Sequence, residues 1–394
     1  MAVEGASGDS PLGPTPHPLK IFDACRKQDK FVYACAPMVR YSKLAFRQTV
    51  YQYGTDLCWT PMILAKEFNR NGFARDSDLT ISTTQPQPPT IVQFGANVPL
   101  ELARASCLAA PFVAGVDLNC GCPQSWACAE TLGAALMDRR ELVRDMVVET
   151  RERLRSDGWG VRLEEDLENP KGRSVSVKIR VHNDLSVYTV KHNSTPPKTS
   201  RATLTSKPPK RRTMDFLDTV IGDPQARNVD WITIHPRTRH TPSTTPIFTE
   251  ALEILTQKYA PTLPILLSGD VFDLSALPMR PHQPTPSTTH LAGFMSARGL
   301  LANPALYDGF AACPWEALET FMCKLVRAPL PFKLALHHVQ QMTGTGMGPN
   351  KTALLSKKER TELNALGDML DLVDFFDRVV EEHTGRAGGM RRDL

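Results

Sequence analysis

The chain has 394 residues, of which 41% are hydrophobic and 22% charged, with a net charge of +4. That balance excludes a wholly disordered or collagen-like chain. No apolar run reaches the length of a membrane-spanning helix, and the polar, Pro/Gly-rich start MAVEGASGDSPLGPTPHPLK lacks the apolar stretch of a secretory signal.

Residues 1–27 are expected to form a flexible N-terminal segment. Eight short, apolar, β-branched segments follow, at 31–38, 57–63, 90–96, 115–121, 175–181, 229–236, 264–271 and 292–299. Each is nearly continuously apolar, as strands of a parallel sheet buried on both faces must be. Helical patterns lie between them. Residues 43–54 set Leu44, Val50 and Tyr51 on one face, and 100–110 do the same with Leu102, Ala105 and Leu108. Residues 141–158 read as an amphipathic helix ending at a glycine. Alternation of this kind means βαβ units. Eight units predict an α/β fold, a closed (β/α)8 TIM barrel over 28–304, with an open doubly wound sheet as the alternative. Two connections are swollen. Residues 191–212 carry seven Lys/Arg and no acid, so that without them the net charge of +4 becomes −3. This Pro/Thr-rich composition cannot bury a core and predicts a basic disordered insert at about 191–213. It reads as a solvated loop, an electrostatic arm for RNA or a nuclear-localisation signal. The second swollen connection is MRPHQPTPSTTH, 279–290. After Gly299 the strand pattern stops, and 314–327, 333–342 and 356–383 read as helices of a separate domain over 305–394. Nine scattered cysteines, odd in number, argue for a reducing, cytoplasmic or nuclear compartment rather than a disulfide framework.

A barrel of this type carries its site at the C-terminal strand ends. These ends hold Ala36-Pro37-Met38, Gln93, Asn119 with Cys120 and Cys122, Lys178 with Arg180, His235 with Arg237, Ser268-Gly269-Asp270 and Ala297-Arg298-Gly299. The chemistry that these groups can share is cofactor binding. Gly269 and Gly299 end the last two strands, where backbone approaches a phosphate. Gln93, Lys178 and His235 could bond the polar edge of a flat ring, and a cation there stabilises a reduced, anionic flavin. Asn119-Cys120-Gly121-Cys122-Pro123, with Cys128 six residues on, is the densest reactive feature. As a metal site, C-x-C-x5-C lacks a fourth ligand and the usual spacing. Buried cysteines acting as small hydrophobes are a second reading. A thiol presented as nucleophile or proton donor is the third. Spacing alone does not choose between Cys120 and Cys122.

Taken together, these pieces resemble the tRNA-dihydrouridine synthases. The resemblance is carried in order by the APM of the first strand, QFGAN (93–97), DLNCGCPQ (117–124), GAALM (133–137), VKIR (177–180), IHPRTRH (234–240), LLSGDV (266–271) and MSARGLLANP (295–304). The wording is most similar to the eukaryotic branch acting on positions 20a and 20b of the D-loop. The resemblance implies an FMN-bound barrel followed by a helical, tRNA-binding domain, with NADPH (or NADH) as reductant and no obligate protein partner. It implies hydride transfer from reduced FMN to C6 of a uracil and protonation of C5 by Cys122. By the same carry-over Pro37 and Met38 back the flavin, Gln93, Lys178 and His235 bind it, and Ser268, Gly269, Asp270, Ala297 and Arg298 hold its phosphate. Asn119, Arg180 and Arg237 face the substrate. Two residues depart from the family pattern: Pro236 stands where Gly is usual and Ser268 where Asn is usual, and either could weaken FMN binding while keeping the strand pattern. From 301 onward eleven Lys/Arg face twelve Asp/Glu, so net charge does not support RNA binding there, leaving a local patch at Lys351, Lys357, Lys358 and Arg360. Two other functions stand beside this one: a flavin barrel reducing a small unsaturated substrate, and a catalytically silent tRNA-binding protein.

Overall fold

The computed structural model describes residues 16–82, 87–184, 212–278 and 284–391. Eight parallel strands, β1 (Val32–Cys35), β2 (Leu57–Leu64), β3 (Thr90–Gly95), β4 (Gly115–Cys120), β5 (Ser174–Arg180), β6 (Ile232–His235), β7 (Ile265–Ser268) and β8 (Gly293–Ser296), pair in sequence order, and β8 closes on β1. Every expected strand is present and the barrel is closed, not an open sheet. Side chains alternate across each strand. The outward set, such as Val92, Val116, Val177, Ile234 and Phe294, joins the surrounding helices in one large core. The inward set forms a second cluster at the lower end, built from Val32, Leu57, Trp59, Ile91, Trp231 and Leu266. Higher on the same inward faces the residues turn polar, and this is where the site lies.

Four expectations are corrected. Flexibility up to residue 27 gives way to a helix, Pro18–Lys27. Pro18 occupies its first turn, the His17 ring accepts from Leu19 N–H, and Arg26 and Lys27 complement the C-terminal dipole. Its buried Leu19 and Phe22 plug the barrel floor, with Phe22 5.3 Å from Trp231 between ring centroids. Tyr51 is exposed rather than buried. The helix Leu44–Gln52 is covered on its outer side by the helix Trp315–Arg327, so all residues from Leu44 to Val50 are buried and only the end is wet. Leu108 is exposed because the buried stripe of Pro99–Ala109 runs through Leu102, Ala105 and Ala109. The single helix expected over 356–383 is two, Lys357–Ala365 and Met369–Thr384. The first ends where Leu366 turns extended, and the Asp368 carboxylate caps the second by accepting from Leu370 and Asp371 N–H. Most of the basic insert lies outside the described residues; Arg212 and Thr213 already begin the helix Arg212–Ile221.

The strands that carry most of the polar groups are stapled at their lower ends by a buried ion pair. The fully buried Asp230 carboxylate accepts from Val175 N–H at 2.7 Å and from the Arg151 guanidinium, whose other donors reach the carbonyls of Val161 and Asn228. Asp230→Ala leaves a buried cation and an unpaired N–H, and should cost about 3–5 kcal/mol. Urea unfolding checks this; a loss under 1 kcal/mol would show that the staple is dispensable.

Candidate functional site

The upper strand ends surround a cavity of 240 Å³. Register brings its groups together. Gln93 pairs with Asp117, Asn119 with Lys178, and Arg180 with His235. In β2 a bulge at Thr60-Pro61 shifts the register, so that Met62 comes beside Gln93. Of the residues singled out in the sequence, Pro37, Gln93, Asn119, Cys122, Lys178, Arg180, His235, Ser268, Gly269, Asp270, Ala297 and Arg298 line this cavity. Two do not. Met38 packs into the outer core, and Arg237 is 1% exposed behind His235. Met62, Phe272 and Met295 also line it and were missed, as was Asp117 just beneath. Asp117 and Met295 follow from inward parity; Met62 is hidden by the bulge.

The cysteine ambiguity is resolved by where β4 stops. Asn119 points inward and Cys120 outward into the core, where Cys120 is wholly buried. Because the strand ends at Cys120, parity no longer governs Cys122, and the turn directs it to the cavity. Several groups hold that turn. Asn119 Oδ1 accepts from the N–H groups of Gly121 at 3.0 Å and Cys122 at 2.8 Å. Arg180 Nε donates to Gly121 O at 2.9 Å, and Ala134 N–H donates to Cys122 O at 2.8 Å. Gly133 has φ +59°, and a Cβ there would stand 2.8 Å from that of Cys122, so glycine is required twice over. Asn119 in turn donates to Gln93 Oε1, and Gln93 Nε2 donates to Asp117, each at 2.7 Å. Ser176 also donates to Asp117, at 2.7 Å. Burial lifts the Asp117 carboxyl to about 6.

Beside it, on β5 and β6, lies a cationic wall. Arg237 donates to Thr245 O and to Asp270 Oδ1, and its Nη1 is 2.9 Å from His235 Nε2. A guanidinium only donates. Nε2 must therefore accept, and the His235 proton sits on Nδ1. Burial first, then Lys178, Arg180, Arg237 and Arg298, hold this imidazole well below its ordinary range, so it is neutral. Pro236 is the middle residue of a tight turn in which Arg237 N–H donates to His235 O at 2.7 Å, and its fixed φ suits that turn. Asp270 (φ +55°) follows Gly269 (φ +115°), and a Cβ on Gly269 would stand 3.0 Å from His235 Nε2. Asp270 also accepts from Ile247 N–H, tying the β6 and β7 loops together. Lys178 is the group left over. Its ammonium lines the cavity without a hydrogen bond or ion pair among the described residues. Burial, then Arg180, lower it to about 8 against the pull of Asp117 and Cys122. An enclosed, unpaired ammonium beside Arg180 and Arg298 suits a flat, anionic, acceptor-rich ligand.

Known proteins resemble this chain along most of its length. The family model described as dihydrouridine synthase (Dus) matches residues 34–164 and 173–356. The chain is 33% identical over 349 residues to a Homo sapiens protein named tRNA-dihydrouridine(20a/20b) synthase-like, covering 88% of this chain and 90% of that one. It is 32% identical over 352 residues to the Saccharomyces cerevisiae tRNA-dihydrouridine(20a/20b) synthase, covering 89% and 80%. It is also 32% identical over 361 residues to the Schizosaccharomyces pombe protein of that name, covering 91% of each.

Two expectations follow from the cationic wall. Lys178 carries its charge below about pH 8 and loses it above. Affinity for an added flat, anionic probe, with FMN as the probe and its fluorescence as the readout, should therefore fall as pH rises through 8, by at most about tenfold per unit, and be flat in Lys178→Met. An equal slope in both would clear Lys178. In 15N-histidine-labelled protein, the resonance lost in His235→Asn should show a protonated Nδ1 and a bare Nε2, unchanged from pH 8 to pH 5.5. A proton on Nε2 would refute the role given to Arg237.

Proposed function

The chain belongs to the dihydrouridine synthase family, and from that premise we propose that it reduces the C5–C6 double bond of uridines in the D-loop of tRNA, at positions 20a and 20b, with FMN as its bound cofactor and NADPH or NADH as electron donor. The observation that carries this reading is the half-buried Cys122 thiol held at the cavity, with the unpaired Lys178 ammonium and neutral His235 on the next two strands.

The residues fit FMN. Lys178 supplies a donor and positive charge to the polar edge of the ring, and His235 offers its Nδ1–H. The turn Ser268-Gly269-Asp270 and the start of the helix Arg298–Ala302, which line the same cavity, would supply backbone N–H groups and the Arg298 guanidinium to its phosphate. When bound and reduced, FMN supplies the hydride that C6 of the uracil accepts. Cys122 Sγ holds the proton that goes to C5, so hydride and proton together saturate the bond. Arg180, anchored to the carbonyls of Gly121 and Thr238, keeps a positive charge beside the uracil carbonyls. A base reaches this depth only by leaving its stack. Phosphate contacts are assigned to the rim and to the helices after Asn303, where Lys357 and Lys358 are exposed.

An anaerobic experiment tests the reading: reduce the flavin with NADPH, then add tRNA lacking dihydrouridine. Rapid return of the oxidised spectrum with tRNA, and none with free uridine, is expected. Reoxidation by free uridine instead would make this a small-substrate reductase. Cys122→Ala should leave reduction by NADPH unchanged and slow tRNA-dependent reoxidation by about 100-fold or more. Near-normal reoxidation would remove Cys122 from the proton-donor role.

A further inference from the structure

We propose that Asp117 is the positioning residue of the Cys122 turn, because it sets the direction of a hydrogen-bond chain that runs through Gln93 and Asn119 and ends on the backbone N–H groups of Gly121 and Cys122. Its consequence for activity rests on the reading of Cys122 given above; the chain itself does not.

The argument lies in what each end of the chain can offer. An ionised carboxylate only accepts, and a backbone N–H only donates. Asp117 therefore requires Gln93 to present Nε2, at 2.7 Å, which leaves Oε1 facing Asn119. That oxygen requires Asn119 to present Nδ2, at 2.7 Å, which leaves Oδ1 facing the turn. Only in that orientation can Asn119 accept from Gly121 at 3.0 Å and Cys122 at 2.8 Å. The two amides between the ends have no freedom to flip independently. Ser176 occupies the second Asp117 oxygen at 2.7 Å, so that the carboxylate cannot turn away. The side chains of the chain are buried, Asp117, Gln93 and Ser176 fully so, leaving no water to take the place of a partner lost between them, while Gly121 and Cys122 at its end are half-buried. A reversed amide would set donor against donor at the turn that presents Cys122.

Directionality, as opposed to packing, is tested by swapping the ends. Asn119→Asp sets a carboxylate oxygen against Gln93 Oε1, and if Gln93 flips the clash moves to Asp117. Adding Asp117→Asn relieves it: the amide at 117 donates to Gln93 Oε1, and Gln93 Nε2 donates to the carboxylate at 119. That carboxylate still accepts from the turn. The readout is hydrogen–deuterium exchange at the amides of Gly121 and Cys122 in the full-length protein without substrate, with Cys122→Ala as a control. At pH 8, where Asp117 is ionised, exchange there should rise about tenfold or more in Asn119→Asp, because the repulsion at Gln93 drives the carboxylate at 119 off the turn, a loss of about 1.4 kcal/mol. It should return to within about threefold of the parent in the double variant, while strand amides elsewhere are unchanged. If Asn119→Asp does not fold, the double variant against the parent carries the test. Full protection in Asn119→Asp alone, or no recovery in the double variant, overturns the proposal. Cys122→Ala should keep its protection, so a failure of the proton-donor reading would leave this result standing.

Discussion

In a closed barrel the inward face of every strand is sealed from water, so a polar side chain there must find its partner on a neighbouring strand or in a ligand. The molecule meets that constraint by layering. The lower interior is apolar, plugged by Phe22 against Trp231. The upper interior carries an amide, a carboxylate, a lysine, an arginine and an imidazole at successive register positions. These groups largely satisfy one another: Gln93 with Asp117 and Asn119, Arg180 with two carbonyls, and Arg237 with Asp270 and His235. What remains unsatisfied is what a ligand must answer.

That layering was largely legible in the sequence because a parallel strand reports both its faces. The eight apolar runs appear as strands, and inward parity on DLNC and VKIR places Asn119, Lys178 and Arg180 in the site. The failures come where tertiary context overrides a local pattern. Tyr51 is exposed because a second helix covers the rest of its own, and the turn of Leu44–Gln52 that should be half wet is dry. Helix Pro18–Lys27 could not be told from a flexible leader, since its apolar face exists only to fill the barrel floor. The bulge at Thr60-Pro61 hides Met62, since a register shift leaves little trace in a sequence. Arg237 looked like a substrate contact because proximity to His235 in sequence says nothing about which way a guanidinium turns.

The two cysteines show how a single boundary separates structure from chemistry. Cys120 and Cys122 would share a face had β4 run on, and both would then be inert core thiols. The strand ends after Cys120 because Asn119 captures the next two N–H groups with its own side chain, which a further ladder pair would have needed. Arg180, from the neighbouring strand, takes the Gly121 carbonyl that the ladder would have used. Thus the residues that look like substrate contacts from their position also build the turn, and replacing them perturbs both functions together.

The sign of the surplus charge limits what the cavity accepts. Lys178, Arg180 and Arg298 line it and Arg237 lies buried behind His235, against Asp117 and Asp270, and each carboxylate is already engaged by donors of the protein. Protonating His235 would add a further cation to this wall, and its neighbours oppose that. A cationic ligand would meet repulsion with no free acceptor to offset it. A neutral apolar ligand would leave the Lys178 ammonium buried and unpaired, which is costly in so enclosed a place. A ligand with a phosphate and a carbonyl-rich ring satisfies both demands at once, and Arg180 and the Cys122 thiol, held together through the Gly121 carbonyl, line the same cavity.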